Sequence, residues 1–481
     1  MAKVELTTRR RNFIVAVMLI SAFVAILNQT LLNTALPSIM RELNINESTS
    51  QWLVTGFMLV NGVMIPLTAY LMDRIKTRPL YLAAMGTFLV GSIVAAMAPP
   101  NFGVLMVARV IQAMGAGVLM PLMQFTLFTL FSKEHRGFAM GLAGLVIQFA
   151  PAIGPTVTGL IIDQASWRVP FIIIVGIALV AFIFGLISIS SYNEVKYTKL
   201  DKRSVMYSTI GFGLMLYAFS SAGDLGFTSP VVIGAMIISS IIIYLFIRRQ
   251  FNISNALLNL SVFKNRTFAL CTISSMIIMM SMVGPALLIP LYVQNSLALS
   301  ALLSGLVIMP GAIINGIMSV FTGKFYDKYG PRPLIYTGFT ILTITTIMLC
   351  FLHTDTSYTY LIVVYAIRMF SVSLLMMPIN TTGINSLRNE EISHGTAIMN
   401  FGRVMAGSLG TALMVTLMSF GAKIFSSTSP SHLTATEIKQ QSIAIGVDIS
   451  FAFVAVLVMA AYVIALFIRE PKVIESNRRE F

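Results

Sequence analysis

Fourteen stretches of this chain are apolar, uninterrupted by charge clusters, and about as long as the roughly 20 residues a helix needs to cross the hydrocarbon of a bilayer. They lie near residues 13–36, 51–71, 79–98, 102–128, 138–162, 168–191, 205–222, 230–248, 268–292, 301–322, 333–352, 358–380, 395–421 and 445–468. In lipid every backbone N–H and C=O must be satisfied inside its own segment, which leaves α-helix as the conformation for each run. Only 10% of the 481 residues are charged and 57% are hydrophobic, far from the roughly 25% charged residues of a soluble domain. The expected class is an all-α polytopic membrane protein.

The formal charge of +14 could point to nucleic acid, so its placement matters. With the N-terminus in the cytoplasm, an even number of spans returns the C-terminus there. The outer loops then hold only Arg41, Arg168, Lys423 and Lys439, and Arg109, Arg368 and Arg403 lie inside spans; every other Lys and Arg falls on the inner side. This is the positive-inside pattern, and no clustered basic face on a soluble domain remains for nucleic acid. The run "TTRRRNFIV" (7–15) holds the first helix end inside rather than serving export, since thirteen more spans follow. Trp52 and Trp167 are expected in the outer aromatic belt. Cys271 and Cys350 stand far apart in or near spans, which implies neither a disulfide nor a metal framework. Four scattered histidines, with no HExxH, P-loop or GxSxG context, leave no metal site and little basis for an enzyme.

The chain repeats itself. "LMDRIKTRPL" (71–80) after the second span is echoed by "FYDKYGPRPL" (325–334) after the tenth. Asp73 precedes Arg109 by 36 residues and Asp327 precedes Arg368 by 41; a further 28 and 27 residues lead to Gly137 and Gly395. The expected organisation is a basic cytoplasmic segment (1–12), an N-terminal six-helix bundle (13–191), two extra helices with flanking loops (192–267), a C-terminal six-helix bundle (268–468) and a cytoplasmic tail (469–481). Paired repeats of this kind rock about a midplane site in transporters.

On these motifs the chain resembles the major facilitator superfamily, and within it the 14-span drug:proton antiporters, the multidrug and lincomycin-resistance type exporters of Gram-positive bacteria. "GKFYDKYGPRP" (323–333) is similar to the superfamily's loop signature, with "AYLMDRIKTRP" (69–79) as an eroded copy in which Ala69 and Lys76 replace glycines. "RVIQAMGAG" (109–117) resembles the fourth-helix motif, and "APAIGPTVTGLIIDQASWR" (150–168) the antiporter motif of the fifth helix. The resemblance implies two pseudo-symmetric six-helix bundles plus two extra transmembrane helices, working by alternating access in a bacterial cytoplasmic membrane. It also implies small-molecule drugs, protons and membrane lipids as partners, a monomer, and no cofactor beyond the proton gradient as energy source.

Individual residues carry these expectations. In the fifth span Gly137, Gly141, Gly144, Gln148, Pro151, Pro155 and Gly159 recur at steps of three and four, so one face lacks bulk and admits a close helix neighbour. The resemblance makes that face, with Gly154 and Pro155, a gate. Arg109 costs about 2.5–3.5 kcal/mol at a span centre and needs a partner; it is either a coupling residue of the proton path or a tie to backbone carbonyls. Asp73 and Arg74, with Asp327, Lys328 and Arg332, read as a latch at the inner loops or as a solvated charge cluster. The polar stretch "LNQTLLNTALP" (27–37) places Asn28 where family members often have an acid. None of the 18 Asp and Glu residues sits near a span middle, so Asp73 or Asp163, modulated by Arg109, are the remaining proton carriers. Neutral, zwitterionic or anionic amphiphiles then fit better than cations. Asn28, Gln29, Asn33, Gln112, Gln124, Gln148, Asn315 and Asn400, with Asn61, Asn380 and Arg403, are expected along a wet cavity, and Met376 among several methionines would suit a pocket that re-packs. A flippase for lipids or lipid-linked metabolites and an uncoupled metabolite facilitator stay open as alternatives.

Overall fold

A computed structural model describes residues 7–45, 47–162, 166–191, 195, 201–253, 256–428 and 434–468. Fourteen long α-helices run through the described residues: α1 (Thr8–Leu43), α2 (Glu47–Arg74), α3 (Thr77–Ala96), α4 (Phe102–Leu130), α5 (Arg136–Ile162), α6 (Arg168–Ser188), α7 (Lys202–Leu225), α8 (Pro230–Asn252), α9 (Arg266–Asn295), α10 (Ala301–Tyr329), α11 (Pro331–Met348), α12 (Tyr358–Asn385), α13 (Ile392–Thr428) and α14 (Ala435–Leu466). Each matches one apolar stretch. Twelve of them are long and apolar enough, over the described residues, to cross a membrane.

Many helices outrun their apolar stretch because polar residues finish them. Thr7 accepts the N–H of Arg10 at the start of α1, Asn101 that of Val104 at α4, and Asn265 that of Phe268 at α9, each satisfying a donor the helix cannot. Thr434 and Glu437 close α14 with a reciprocal capping box. Between α10 and α11 the chain turns on Gly330, whose φ of 76° lies in the left-handed region that glycine takes without penalty; Pro331 follows as the first helical residue.

The helices divide into two compact units. The first takes in residues 1–217, 238–262 and 388–401, the second residues 218–237, 263–387 and 402–481. Inside the first, α1 packs on α4 and α6, α2 on α4, and α3 on α4 and α6. Inside the second the same five pairings recur with each helix number raised by eight: α9 on α12 and α14, α10 on α12, α11 on α12 and α14. The internal echo in sequence is thus an echo in packing.

Close approach inside the first unit depends on missing side chains. A methyl on Gly91 of α3 would lie 2.6 Å from the backbone nitrogen of Gln112, and one on Gly115 of α4 would lie 2.5 Å from the carbonyl oxygen of Ala84. The α3/α4 crossing is therefore backbone against backbone in both directions, and it brings Arg109 and Gln112 of α4 into the packed interior.

Candidate functional site

Arg109 is completely buried on α4. Its Nε donates to the Leu53 carbonyl of α2 at 3.3 Å, and its Nη1 to Gln112 Oε1 at 2.9 Å and to the Asn28 carbonyl of α1 at 3.5 Å. The guanidinium carbon stands 4.2 Å from the centroid of the Phe57 ring, a cation–π arrangement. Gln112 passes the network on, its Nε2 donating to Ser92 Oγ of α3 at 3.1 Å. Among the described residues no carboxylate contacts this arginine, and its Nη2 has no partner. Asn28 is equally buried, and both polar atoms of its side chain lack a partner. Three helices thus meet at a fixed cation flanked by an unengaged amide.

The second unit repeats the motif. Arg368 of α12 is fully buried, and its Nη2 donates to the carbonyl of Ser281 on α9 at 2.5 Å. Raising helix numbers by eight maps α4 and α1 onto α12 and α9, so Ser281 stands to Arg368 as Asn28 stands to Arg109. Nε and Nη1 of Arg368 are unpartnered.

At the C-terminal end of α2, Asp73 meets the start of α13. Ser393 Oγ donates to Asp73 Oδ1 at 2.7 Å, and His394 Nε2 faces Asp73 Oδ2 at 3.1 Å. Arg74 bonds its neighbour one turn back, Nη1 to the Tyr70 hydroxyl at 2.5 Å. The sequence singled out Gly395 only as a landmark of the repeat and missed the two residues before it; a serine and a histidine opening a span at an inner loop were the available signal. Asp327 lies in the last turn of α10, and Arg332 follows Gly330 near the start of α11, so both flank the glycine turn.

Gly154 is buried in α5, where a Cβ would lie 2.5 Å from Thr30 Oγ1 and 3.5 Å from Leu27 Cδ1 of α1. The small face of α5 accordingly packs on the polar stretch of α1. Pro155 lies in the same helix with its side chain outside the description, as does that of Asn33 in α1, and Asp163 falls outside the described residues.

The other expected polar residues separate into groups. Gln124 and Asn400 meet in the first unit, Asn400 Nδ2 donating to Gln124 Oε1 at 2.7 Å, with Gln124 Nε2 left unpartnered. Asn315, Met376 and Arg403 are buried in the second unit, where Asn315 Nδ2 has no partner and Ser275 donates to Asn380 Oδ1 at 3.0 Å beside Met376. Gln29 and Gln148 are half-buried. Trp167 departs from the belt expected of it: it is 2% exposed, because its Nε1 donates to Glu42 at 2.6 Å while Arg168 pairs with the same carboxylate at 2.7 Å. The Arg168 guanidinium, with the Trp167 N–H, holds the Glu42 carboxyl below its ordinary range. Trp52, in contrast, is 41% exposed, as a belt residue would be.

Repeated helical packing, a buried arginine in each repeat and, among the described residues, twelve helices able to cross a membrane mark a multi-pass membrane protein of the carrier type. The sequence profile of the Major Facilitator Superfamily matches residues 18–411, and the chain belongs to that family. It is 40% identical over 462 residues to an MFS-type transporter of Bacillus subtilis, YcnB, covering 96% of each chain. Over 459 residues it is 38% identical to the lincomycin resistance protein LmrB of Listeria monocytogenes, with 95% and 97% covered. It is 27% identical over 412 residues to the multidrug transporter protein MdtP of Bacillus subtilis, with 85% and 76% covered. In fold it is similar to the crystal structure of the human organic anion transporter MFSD10, at a TM-score of 0.63 and 12% identity, covering 94% of this chain and 99% of that one. Fourteen helices that repeat their packing fit the major facilitator fold.

Proposed function

We propose that this protein exports small amphipathic antimicrobials across the bacterial cytoplasmic membrane by alternating access, as a non-enzymatic, monomeric drug:proton antiporter with both termini inside. The observation that carries the substrate class is the fixed cation Arg109, which no carboxylate contacts among the described residues, beside the unengaged amide of Asn28: such a centre favours neutral, zwitterionic or anionic ligands over cations. The names of the relatives, lincomycin resistance protein and multidrug transporter protein, support drugs as the cargo. On this reading 13–191 and 268–468 are the two bundles and 192–267 the extra pair.

Inward proton movement supplies about 2.3 kcal/mol per 100 mV, enough for roughly 50-fold accumulation of drug per proton. Asn28 cannot carry that proton. Asp73 or Asp163, modulated by Arg109, takes the role, and the contact of Asp73 with His394 and Ser393 acts as a latch that holds one state of a two-state motion. Asp327 and Arg332 serve the matching loop of the second bundle, Gly154 and Pro155 the gate on α5. Gln112, Gln124, Gln148, Asn315, Asn400, Met376 and Arg403 join Asn28, Gln29 and Asn33 in lining the path as it opens.

Uptake of a neutral and a cationic drug into inverted vesicles under an imposed proton gradient, for wild type and Asp73→Asn, tests this. Gradient-driven uptake that prefers the neutral drug and is lost in the variant is the expected result. Uptake indifferent to the gradient would reject antiport and put a facilitator or flippase in its place.

A further inference from the structure

The extra helices α7 and α8 have no counterpart in the repeat, and a chain of hydrogen bonds leads from them to Asp73 within the first unit. It begins at Asp201, just before α7, whose carboxylate takes Arg249 Nε and Nη2 of α8 at 2.5 and 2.9 Å and the Ser204 hydroxyl at 2.5 Å. Ser204 Oγ accepts from Gln250 Nε2 at 2.7 Å, and Gln250 Oε1 accepts the N–H of Leu258 at 3.2 Å. Leu257, Leu258 and Val262 are buried, so this part of the connector between α8 and α9 is pinned down. Its next residue, Asn259, folds its side chain onto Ser261 and donates its backbone N–H to His394 Nδ1 at 3.2 Å. His394, itself 7% exposed, reaches Asp73 with its other nitrogen.

These partners dictate the state of the ring. A backbone N–H can only donate, so Nδ1 must offer its lone pair. The proton of the neutral imidazole then sits on Nε2, where Asp73 accepts it. We propose that His394 is a positioning residue, fixed in tautomer and orientation by the connector behind α8, and that the two extra helices through it brace the Asp73 latch. The inference rests on the reading of Asp73 as a latch. It gives the additional pair a task in timing the cycle, apart from the substrate path, and it places that task at a backbone amide that carries no side-chain signature.

The test reads latch opening directly. In the full chain with Cys271→Ser and Cys350→Ser, Thr396→Cys replaces a residue that is 1% exposed just beyond His394, and its alkylation by a membrane-impermeant maleimide in inverted vesicles reports opening. Asn259→Pro deletes the N–H; His394→Trp keeps a ring N–H donor for Asp73 and has no acceptor for Asn259. Each is expected to raise the labelling rate about 5-fold, the effect of one hydrogen bond, and the double variant to be no faster than either, because both cut the same link. Gln250→Met, which frees Leu258 without altering residue 259, should give the same gain if the proline variant folds poorly. Drug uptake by the same vesicles should show a lower maximal rate at unchanged KM, since the brace touches no substrate. Additive labelling effects, unchanged labelling in both singles, or a raised KM would overturn the brace. Absence of uptake by the wild type would instead overturn the transport reading, with the labelling comparison still deciding this one.

Discussion

Replacing Arg109 by methionine separates two roles that a buried arginine can have. The guanidinium makes its two shorter bonds to Leu53 O and Gln112 Oε1, and stacks on Phe57 at 4.2 Å. Hydrogen bonds to a charged group contribute about 1.5–3 kcal/mol each and a desolvated cation–π contact about 2 kcal/mol, so the favourable side is about 5–8 kcal/mol. Taking the charge out of water with no carboxylate beside it costs several kcal/mol, and the two sides nearly cancel. Methionine has similar length and no charge; what it leaves behind is Gln112 Oε1 without its donor, a cost of about 1–3 kcal/mol. Arg109→Met is therefore expected to fold, with a thermal midpoint in detergent lowered by less than about 5 °C, while drug uptake into inverted vesicles falls by at least about 10-fold. Wild-type uptake in a well-folded variant would reject a part for Arg109 in transport. Loss of folded protein would show that the near-cancellation is wrong and that the arginine is first a structural tie.

Three further outcomes follow from the geometry. Gly154→Ala puts a methyl 2.5 Å from Thr30 Oγ1 and should destabilise by about 1–3 kcal/mol; adding Thr30→Ala, which removes that oxygen, should recover most of the loss in unfolding and uptake measurements, and a double variant worse than the single would refute the contact. Asp201, depressed to about 2 by the side chain of Arg249, contributes stability that is complete above the unfolded carboxylate value of about 3.9 and disappears as pH falls through about 2. Asp201→Asn should remove about 1–2 kcal/mol at pH 7, after allowance for a pair 19% and 30% exposed, and should flatten the acid limb of the unfolding curve. Arg168→Met should strand Glu42 and raise its carboxyl toward the ordinary range, read as a Trp167 fluorescence titration moved to higher pH; an unmoved titration would mean the guanidinium does not set it.

Much of this was legible in the chain. Hydropathy alone located all fourteen helices, because the bilayer imposes one length and one backbone solution on each. The shared Asp…Arg-Pro-Leu stretches foretold the packing repeat. What stayed hidden depends on contacts between elements far apart in sequence. Asn28 meets Arg109 through its carbonyl, which every residue has, and its side chain is left unengaged. Trp167 looked like a belt residue because its partner Glu42 lies 125 residues earlier. His394 offered only its place at the opening of a span; its two partners are a carboxylate at the end of α2, 321 positions away, and a backbone amide.

The paired glycines of the α3/α4 crossing bear on how the protein can change over time. A side chain that blocks a neighbour can be answered by trimming the neighbour, but Gly91 and Gly115 press on main-chain atoms, Gln112 N and Ala84 O, which no substitution can remove. Neither position has a compensating partner, so mutational drift at the crossing is blocked one residue at a time. Variation in what the protein carries must come from other helix faces, while the spacing of these two helices stays as the main chain sets it.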